Sequence, residues 1–211
     1  MAVPHSWDAQ AELEAIRQQL LRDREFGLLA LNALFRRGMV PVPHPDGRHH
    51  GAVVALTVSA PLDLAGRAFT AFWMPWLGKD FDAGRQKGEN IFRSRDLWLF
   101  RLLWPAYQGW RPDGPGQRRG FRFLTSTGAS TLDVGLQVLR LDYNLATNSR
   151  FLVRDVLDEL VQLAPGFYLG KALLRRSGNP PRCLAYFSLA AVPGARPGTG
   201  FGQETPAQRL R

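Results

Sequence analysis

The residues best suited to chemistry lie close together in this chain. Trp73-Met74-Pro75-Trp76-Leu77-Gly78-Lys79-Asp80-Phe81 is followed by Gly88-Glu89-Asn90-Ile91-Phe92, which sets one lysine among large rings with acids and an amide nearby. A lysine between aromatic walls either keeps its charge and binds a carboxylate, or loses it by desolvation and becomes a nucleophile. An ion pair with Asp80, Asp82 or Glu89 would instead make Lys79 structural. Trp73, Trp76 and Phe81 have the bulk to line a pocket or to fill a core. Glu89 and Asn90 are suited to orienting a ligand or to stabilising a turn. The whole stretch reads as the floor of a cavity.

Other groups invite a chemical reading and carry less of it. His44, His49 and His50 fall within seven residues, but His49 and His50 take opposite faces of any strand, and no Cys or acid stands at ligand spacing. Exposed or singly hydrogen-bonded histidines are expected, and no metal. Tyr143 is a candidate site residue, whereas Asn144 and Asn148 are suited to satisfying backbone groups. Asp155 and Glu159, four apart, read as solvated partners of Arg154 on one helical face. Ser126, Ser130 and Thr131 lack a nucleophile elbow, no phosphate-binding or dinucleotide fingerprint occurs, and no cofactor is implied. Cys183, the sole cysteine, reads as a small buried hydrophobe and excludes an intrachain disulfide.

The 211 residues suit one core with an elaborated end. An apolar fraction of 45% and an aromatic fraction of 11% are those of a folded globular chain. The formal charge of +9 comes from 27 basic residues, all Arg except Lys79, Lys87 and Lys171. They are scattered, never more than two in a row, with acids interleaved. No nucleic-acid partner is expected, although the field favours anions. The first residues carry no basic start or apolar run, and no stretch approaches the roughly 20 apolar residues of a membrane span, so a cytoplasmic location without a transmembrane segment is expected.

The elements that must position these residues follow from period and punctuation. Ser6 as N-cap and Asp8 in the first turn open an amphipathic helix through Leu13, Ile16, Leu20 and Leu21. Residues 26–35 are apolar nearly all round, either buried or docked on a protein partner. A turn-rich connection at 41–51 leads to a strand at 51–59, and a short helix is expected from Pro61 to about Phe72. The apolar run 97–104 reads as a strand, 112–116 as a loop, and 121–123 and 138–143 as half-buried strands. Leu152, Val156, Leu160 and Leu163 predict a helix over 150–163. Phe167–Arg175 and Cys183–Ala190 form a C-terminal hairpin about Ser177-Gly178-Asn179-Pro180-Pro181. The resulting fold class is α+β, mainly β: an antiparallel β-barrel with N-terminal helices and a helix between late strands. A helical segment at 1–38, a barrel domain at 39–191 and a disordered tail at 192–211 complete the expected organisation.

Gly47-Arg48-His49-His50-Gly51 resembles the G-x-W-x-G signature of the lipocalin-like GXWXG proteins, with His49 in place of the tryptophan. Trp76-Leu77-Gly78-Lys79-Asp80-Phe81 is similar to that family's W-x-G-K-x-F element. Leu141-Asp142-Tyr143-Asn144, Tyr168-Leu169-Gly170-Lys171 and Ala185-Tyr186-Phe187-Ser188-Leu189 are similar to elements of the companion C-terminal domain of unknown function. The resemblance implies a lipocalin-like barrel over roughly residues 25–190, and little about activity.

Three functions fit these residues. The first is a binding protein whose cavity, lined by Trp73, Trp76, Lys79, Phe81, Asn90 and Tyr143, takes a hydrophobic small molecule with or without an acidic group. The second is a cofactor-independent enzyme of cyclase or isomerase type, with Lys79, Tyr143 or Asp82 as the working group. The third is an interaction scaffold with a filled barrel, docking through the helix at 26–35.

Overall fold

A computed structural model describes residues 7–57, 75–175 and 178–194. Two helices come first. Asp8 caps α1 (Ala9–Arg22), its carboxylate accepting from the backbone N–H groups of Gln10 and Ala11. Asp23 ends that helix and caps the next, α2 (Arg24–Arg37), by accepting from the N–H of Phe26. The apolar segment 26–35 thus lies inside α2. Leu31, Leu34 and Phe35 are buried on the outside of the barrel, while Phe26 and Leu29 on its far side are exposed. Burial of each large side chain of that inner stripe contributes about 1.5–3 kcal/mol.

The strands are β1 (Gly47–Leu56), β2 (Trp76–Asp82), β3 (Lys87–Arg93), β4 (Arg111–Pro112), β5 (Gln117–Ala129), β6 (Gln137–Asp142), β7 (Val156–Ala164), β8 (Phe167–Leu174) and β9 (Arg182–Ala191). Every pairing is antiparallel. The sheet runs β3-β2-β1-β9-β8-β7-β6-β5, and β3 pairs again with β5, so eight strands close into a barrel and no long edge is left. The short β4 flanks β5. This is the α+β, mainly β, lipocalin-like architecture that the sequence predicts, and β8 and β9 form its C-terminal hairpin.

Residues 150–163, expected to be a helix, instead form a 3-10 turn (Val153–Asp155) and β7. The helical spacing of Leu152, Val156, Leu160 and Leu163 misleads because β7 is covered on both faces. Leu160 packs in the lumen cluster, while Val161 packs under α2, so the period-2 signal is erased. Residues 97–104, expected to be a strand, contain the short helix α3 (Trp98–Leu103). Phe100 and Trp104 close one end of the barrel against Phe92, Trp110 and Phe121, with ring centroids 5.0–5.9 Å apart. Trp98 and Arg101 face solvent, but a six-residue run that carries a tryptophan on its wet side shows no helical period. Asp8, expected in the first turn after a Ser6 cap, is itself the cap, because the helix begins at Ala9. The helix at 61–72, the end of the 51–59 strand and nearly all of the expected tail fall outside the described residues.

Neighbouring strands turn at alternate rims. One rim has the tight connections 83–86, 130–136 and 165–166; the other has the long ones, 94–116 and 143–155. The outer wall across β1, β2, β3 and β5 is knitted by ion pairs: Arg48 and Arg119 share Asp113, Arg119 also reaches Asp80, and Arg111 and Arg122 hold the buried Glu89. Several of the scattered arginines are therefore neutralised where they stand.

Candidate functional site

Strand alternation turns Lys79 and Phe81 of β2 into the lumen. Trp76 joins them because a register shift separates it from Gly78. Lys79 is fully buried, and its Nζ donates to Asn90 Oδ1 at 2.9 Å, Tyr143 Oη at 2.5 Å and Asp158 Oδ2 at 2.8 Å. The Tyr143 hydroxyl donates to the same Asp158 oxygen at 2.9 Å, and Trp76 Nε1 donates to Asn90 Oδ1 at 3.1 Å. Five side chains from four separate segments thus form one closed polar cluster. Ordinarily each of the three ammonium protons would seek water; here each has a protein acceptor.

Around this cluster stand four rings. Nζ lies 5.5 Å from the ring centroid of Trp76, 5.1 Å from Phe123 and 5.2 Å from Phe187, within cation–π range, and meets the Tyr143 ring at its hydroxyl edge. Three of these rings lie directly on glycines. A Cβ on Gly51 would come within 2.2 Å of the Trp76 ring, one on Gly170 within 2.2 Å of Phe187, and one on Gly88 within 2.4 Å of Phe123. The glycines let the rings approach the wall, and so give the lysine its cage.

Asn90 owes its aim to a bulge. Glu89 pairs with Arg122 and Asn90 with Gly120, which leaves Phe121 as the extra residue of β5 with φ of 49°. Its freed backbone groups find side chains: the carbonyl accepts from Asn90 Nδ2 at 3.0 Å, and the N–H donates to Tyr107 Oη at 2.6 Å. Burial pushes the Tyr107 hydroxyl up to about 12. Neither group is left bare.

Desolvation pulls Lys79 below its ordinary value, opposed by the charge of Asp158 and the hydrogen bond to it. Desolvation raises Tyr143 well above the ordinary phenol value, and the neighbouring Asp158 charge adds to the rise. The arrangement holds a proton between a disfavoured ammonium, a disfavoured phenolate and one carboxylate.

The structure brings Trp76, Lys79, Phe81, Asn90 and Tyr143 to one interior; Trp73 lies outside the described residues. The ion partner of Lys79 is Asp158 on β7, not Asp80, Asp82 or Glu89. Alternation sends Asp80 and Glu89 outward to arginines, and Asp82 caps the turn at 83–85 by accepting from the N–H of Arg85. Asp82 is accordingly no working group for interior chemistry. Glu89 and Asn90, expected at a turn if not at a ligand, lie within β3. Asp155 and Glu159 do not share a helical face: Glu159 is buried on the outside of β7, accepting from Ser130 Oγ and Thr131 N. Asn148 meets backbone as expected, donating to the carbonyls of Arg122 and Tyr143.

Asp158, Phe123 and Phe187 were not legible as site residues. A carboxylate set between Leu157 and Leu160 is a signal only once 156–164 is known to be a strand. His49, by contrast, is buried in the lumen against Phe81 and Tyr168, with ring centroids 5.2 and 5.4 Å away, and His50 is exposed on the other face. His44 and His49 make one hydrogen bond each, to Thr127 Oγ1 and the Gly47 carbonyl. Among the described residues no group of three His, Cys, Asp or Glu side chains is placed to hold a metal ion. Burial pushes the Cys183 thiol up to about 11, which leaves little thiolate. No helix among the described residues is long and apolar enough to cross a membrane.

No protein-family model matches the chain. No curated protein matches it either. A solved structure of a protein from Thermomonospora curvata is similar, with a TM-score of 0.43 and 17% identity, covering 84% of this chain and 99% of that one. A likeness that distant assigns no activity.

The buried imidazole of His49 carries a pH prediction. Desolvation lowers its folded-state value below the ordinary 6.5, so between the two values the unfolded chain binds a proton that the folded chain refuses. Stability is full above about pH 6.5 and falls as pH drops toward the folded value. Urea unfolding between pH 5 and 8 should show this loss. A His49→Phe variant should lack the His49 component of the slope, and an unchanged slope would remove His49 as its source.

Proposed function

We propose that this protein binds a hydrophobic small molecule within its aromatic-lined barrel, with the Lys79-Asn90-Tyr143-Asp158 cluster as the polar element that orients it. The observation that carries this reading is the four-ring cage around a buried ion pair. A buried pair is a weak source of stability, and apolar residues of the same volume often do as well or better. Its retention, with every donor of Lys79 satisfied, fits a pre-organised recognition element better than a packing device. Apolar walls with a few convergent polar groups are the usual composition of a ligand site. Because Lys79 already has three acceptors, a neutral or hydrogen-bonding head on the ligand suits the cluster better than a second carboxylate. The chain is, on this reading, a distant member of the lipocalin-like GXWXG proteins: the segments that resemble them at 47–51 and 76–81, and those that resemble the companion domain at 168–171 and 185–189, fall on β1, β2, β8 and β9, four adjacent strands, and His49 fills a wall position.

A second reading is acid/base catalysis of cyclase or isomerase type in the same interior. It is favoured by the opposite displacement of Lys79 and Tyr143 about one shared carboxylate. Native mass spectrometry of freshly purified protein beside its denatured mass tests the first reading. An apolar compound lost on denaturation is expected. A bare chain that also takes up no member of a panel of apolar compounds would sink both readings and leave the filled-barrel scaffold. Tyr143→Phe separates the two: a binder retains the compound, whereas an enzyme retains it and no longer converts it.

A further inference from the structure

A cavity lies apart from the lumen cluster, at the rim of long connections. A cleft of about 670 Å³ opens between residues 103–109, at the end of α3 and beyond it, and residues 146–151 with Arg154, in the connection from β6 to β7. None of the lumen cluster lines it. The volume is that of an ordinary small-molecule pocket.

The walls are fixed independently of any ligand. Trp104 Nε1 donates to the Phe151 carbonyl at 2.8 Å and ties the two segments together. Tyr107 is pinned through its hydroxyl to the bulge at Phe121. On the opposite wall Arg154 donates from Nε to the Asn148 carbonyl at 2.9 Å and from Nη2 to the Ala146 carbonyl, which clamps the loop. Asn148 is anchored through its Nδ2, while its Oδ1 is buried with no donor among the described residues. Preorganised walls of this kind reduce the ordering cost of binding.

The lining has a single sign of charge. It contains Arg150 and Arg154 and no Asp or Glu, in a molecule whose other interior and wall charges are largely paired. Arg150 is exposed and makes no hydrogen bond or ion pair among the described residues, so its fork is open. Tyr107 and Phe151 offer ring surface beside it, and Phe151 is 41% exposed. Two guanidinium groups next to aromatic faces suit an acid group on a flat apolar body.

We propose that this rim cleft is a binding site for a small amphiphilic anion, a carboxylate or phosphate ester carried on a flat apolar body, held by Arg150 and Arg154 and stacked on the rings of the cleft. The site is separate from the lumen cluster and does not depend on the lumen's having a ligand.

Calorimetric titration of the full chain with naphthylacetate, naphthyl phosphate and the neutral naphthylacetamide tests it. At least one of the two anions should bind about tenfold or more tightly than the amide, a difference that added salt reduces. Whichever anion leads identifies the head group. Arg150→Gln, at a side chain without partners and therefore without a folding role, should bring the anion close to the amide. Ala106→Trp, at an exposed position of the cleft, should block the leading anion in a protein of unchanged circular dichroism. Equal affinity for amide and anions, a preference untouched by Arg150→Gln, or undiminished binding to Ala106→Trp would each overturn the assignment, and the last would place the anion elsewhere in the protein.

Discussion

Lys79→Met should destabilise the barrel by roughly 3–5 kcal/mol, the cost of leaving one member of a buried ion pair without its partner. Among the described residues the buried carboxylate of Asp158 would then retain only the Tyr143 hydroxyl. The reverse variant behaves differently. In Asp158→Leu, Lys79 loses the counter-charge that opposes desolvation, so its folded value falls further below the ordinary 10.5 and the side chain sheds its proton more readily. The unfolded chain still binds that proton below 10.5, so the stability of Asp158→Leu should rise with pH toward that value. The double variant Lys79→Met with Asp158→Leu should recover most of the loss, with a coupling energy near the upper end of the roughly 0.5–3 kcal/mol found for residues in contact. Urea denaturation of all four proteins measures the cycle. If the double variant is no more stable than Lys79→Met, the pair is not the unit that the geometry makes it. If it recovers stability and still retains the apolar compound, the cluster is structural and the binding reading loses its polar element.

The second large effect is expected at Gly78→Ala. Gly78 has φ of 141°, a conformation that L side chains rarely adopt, and a Cβ there would fall 2.0 Å from the His49 carbonyl oxygen and 2.8 Å from the Gly51 nitrogen. Both atoms are backbone of the neighbouring strand and cannot swing away, unlike the rings over Gly51 or Gly170. Strain in φ and overpacking each cost about 1–3 kcal/mol, so the substitution should cost roughly 2–6 kcal/mol or part β1 from β2. Because Lys79 is the next residue, the ammonium should also leave the reach of Asp158, and the environment of Trp76 should change in fluorescence. Gly84→Ala is the control: its nearest atom is the Asp82 carboxylate at 3.7 Å, its φ is ordinary, and a change within about 0.5 kcal/mol is expected. Equal stability of the Gly78 and Gly84 variants would mean that β2 takes another register.

Local chemistry was enough to mark the aromatic stretch around Lys79, the two N-terminal helices, the C-terminal hairpin and the mainly antiparallel barrel. Each is written in contiguous residues: acids that cap a first turn, alternation bounded by glycine and proline, and a density of rings that demands burial. The failures share a cause. Strand β7 is covered on both faces, and a segment without a wet face has no readable period, so 150–163 mimicked a helix. Helix α3 has a wet side at Trp98 and Arg101, but six residues with a tryptophan on that side show no helical period, so 97–104 mimicked a strand. The lysine's partner was beyond reach for a different reason. Asp158 stands 79 residues from Lys79, and nothing near either residue states that closure of β3 onto β5 will set them 2.8 Å apart. Acids adjacent in sequence were the natural candidates, yet a strand turns its neighbours to the opposite face, which is why Asp80 and Glu89 ended on the arginine-rich outside. Residue types and local period suffice for which segments are buried and which groups could react. Which groups meet is settled by the barrel's register and by the glycines that let its rings lie against the wall.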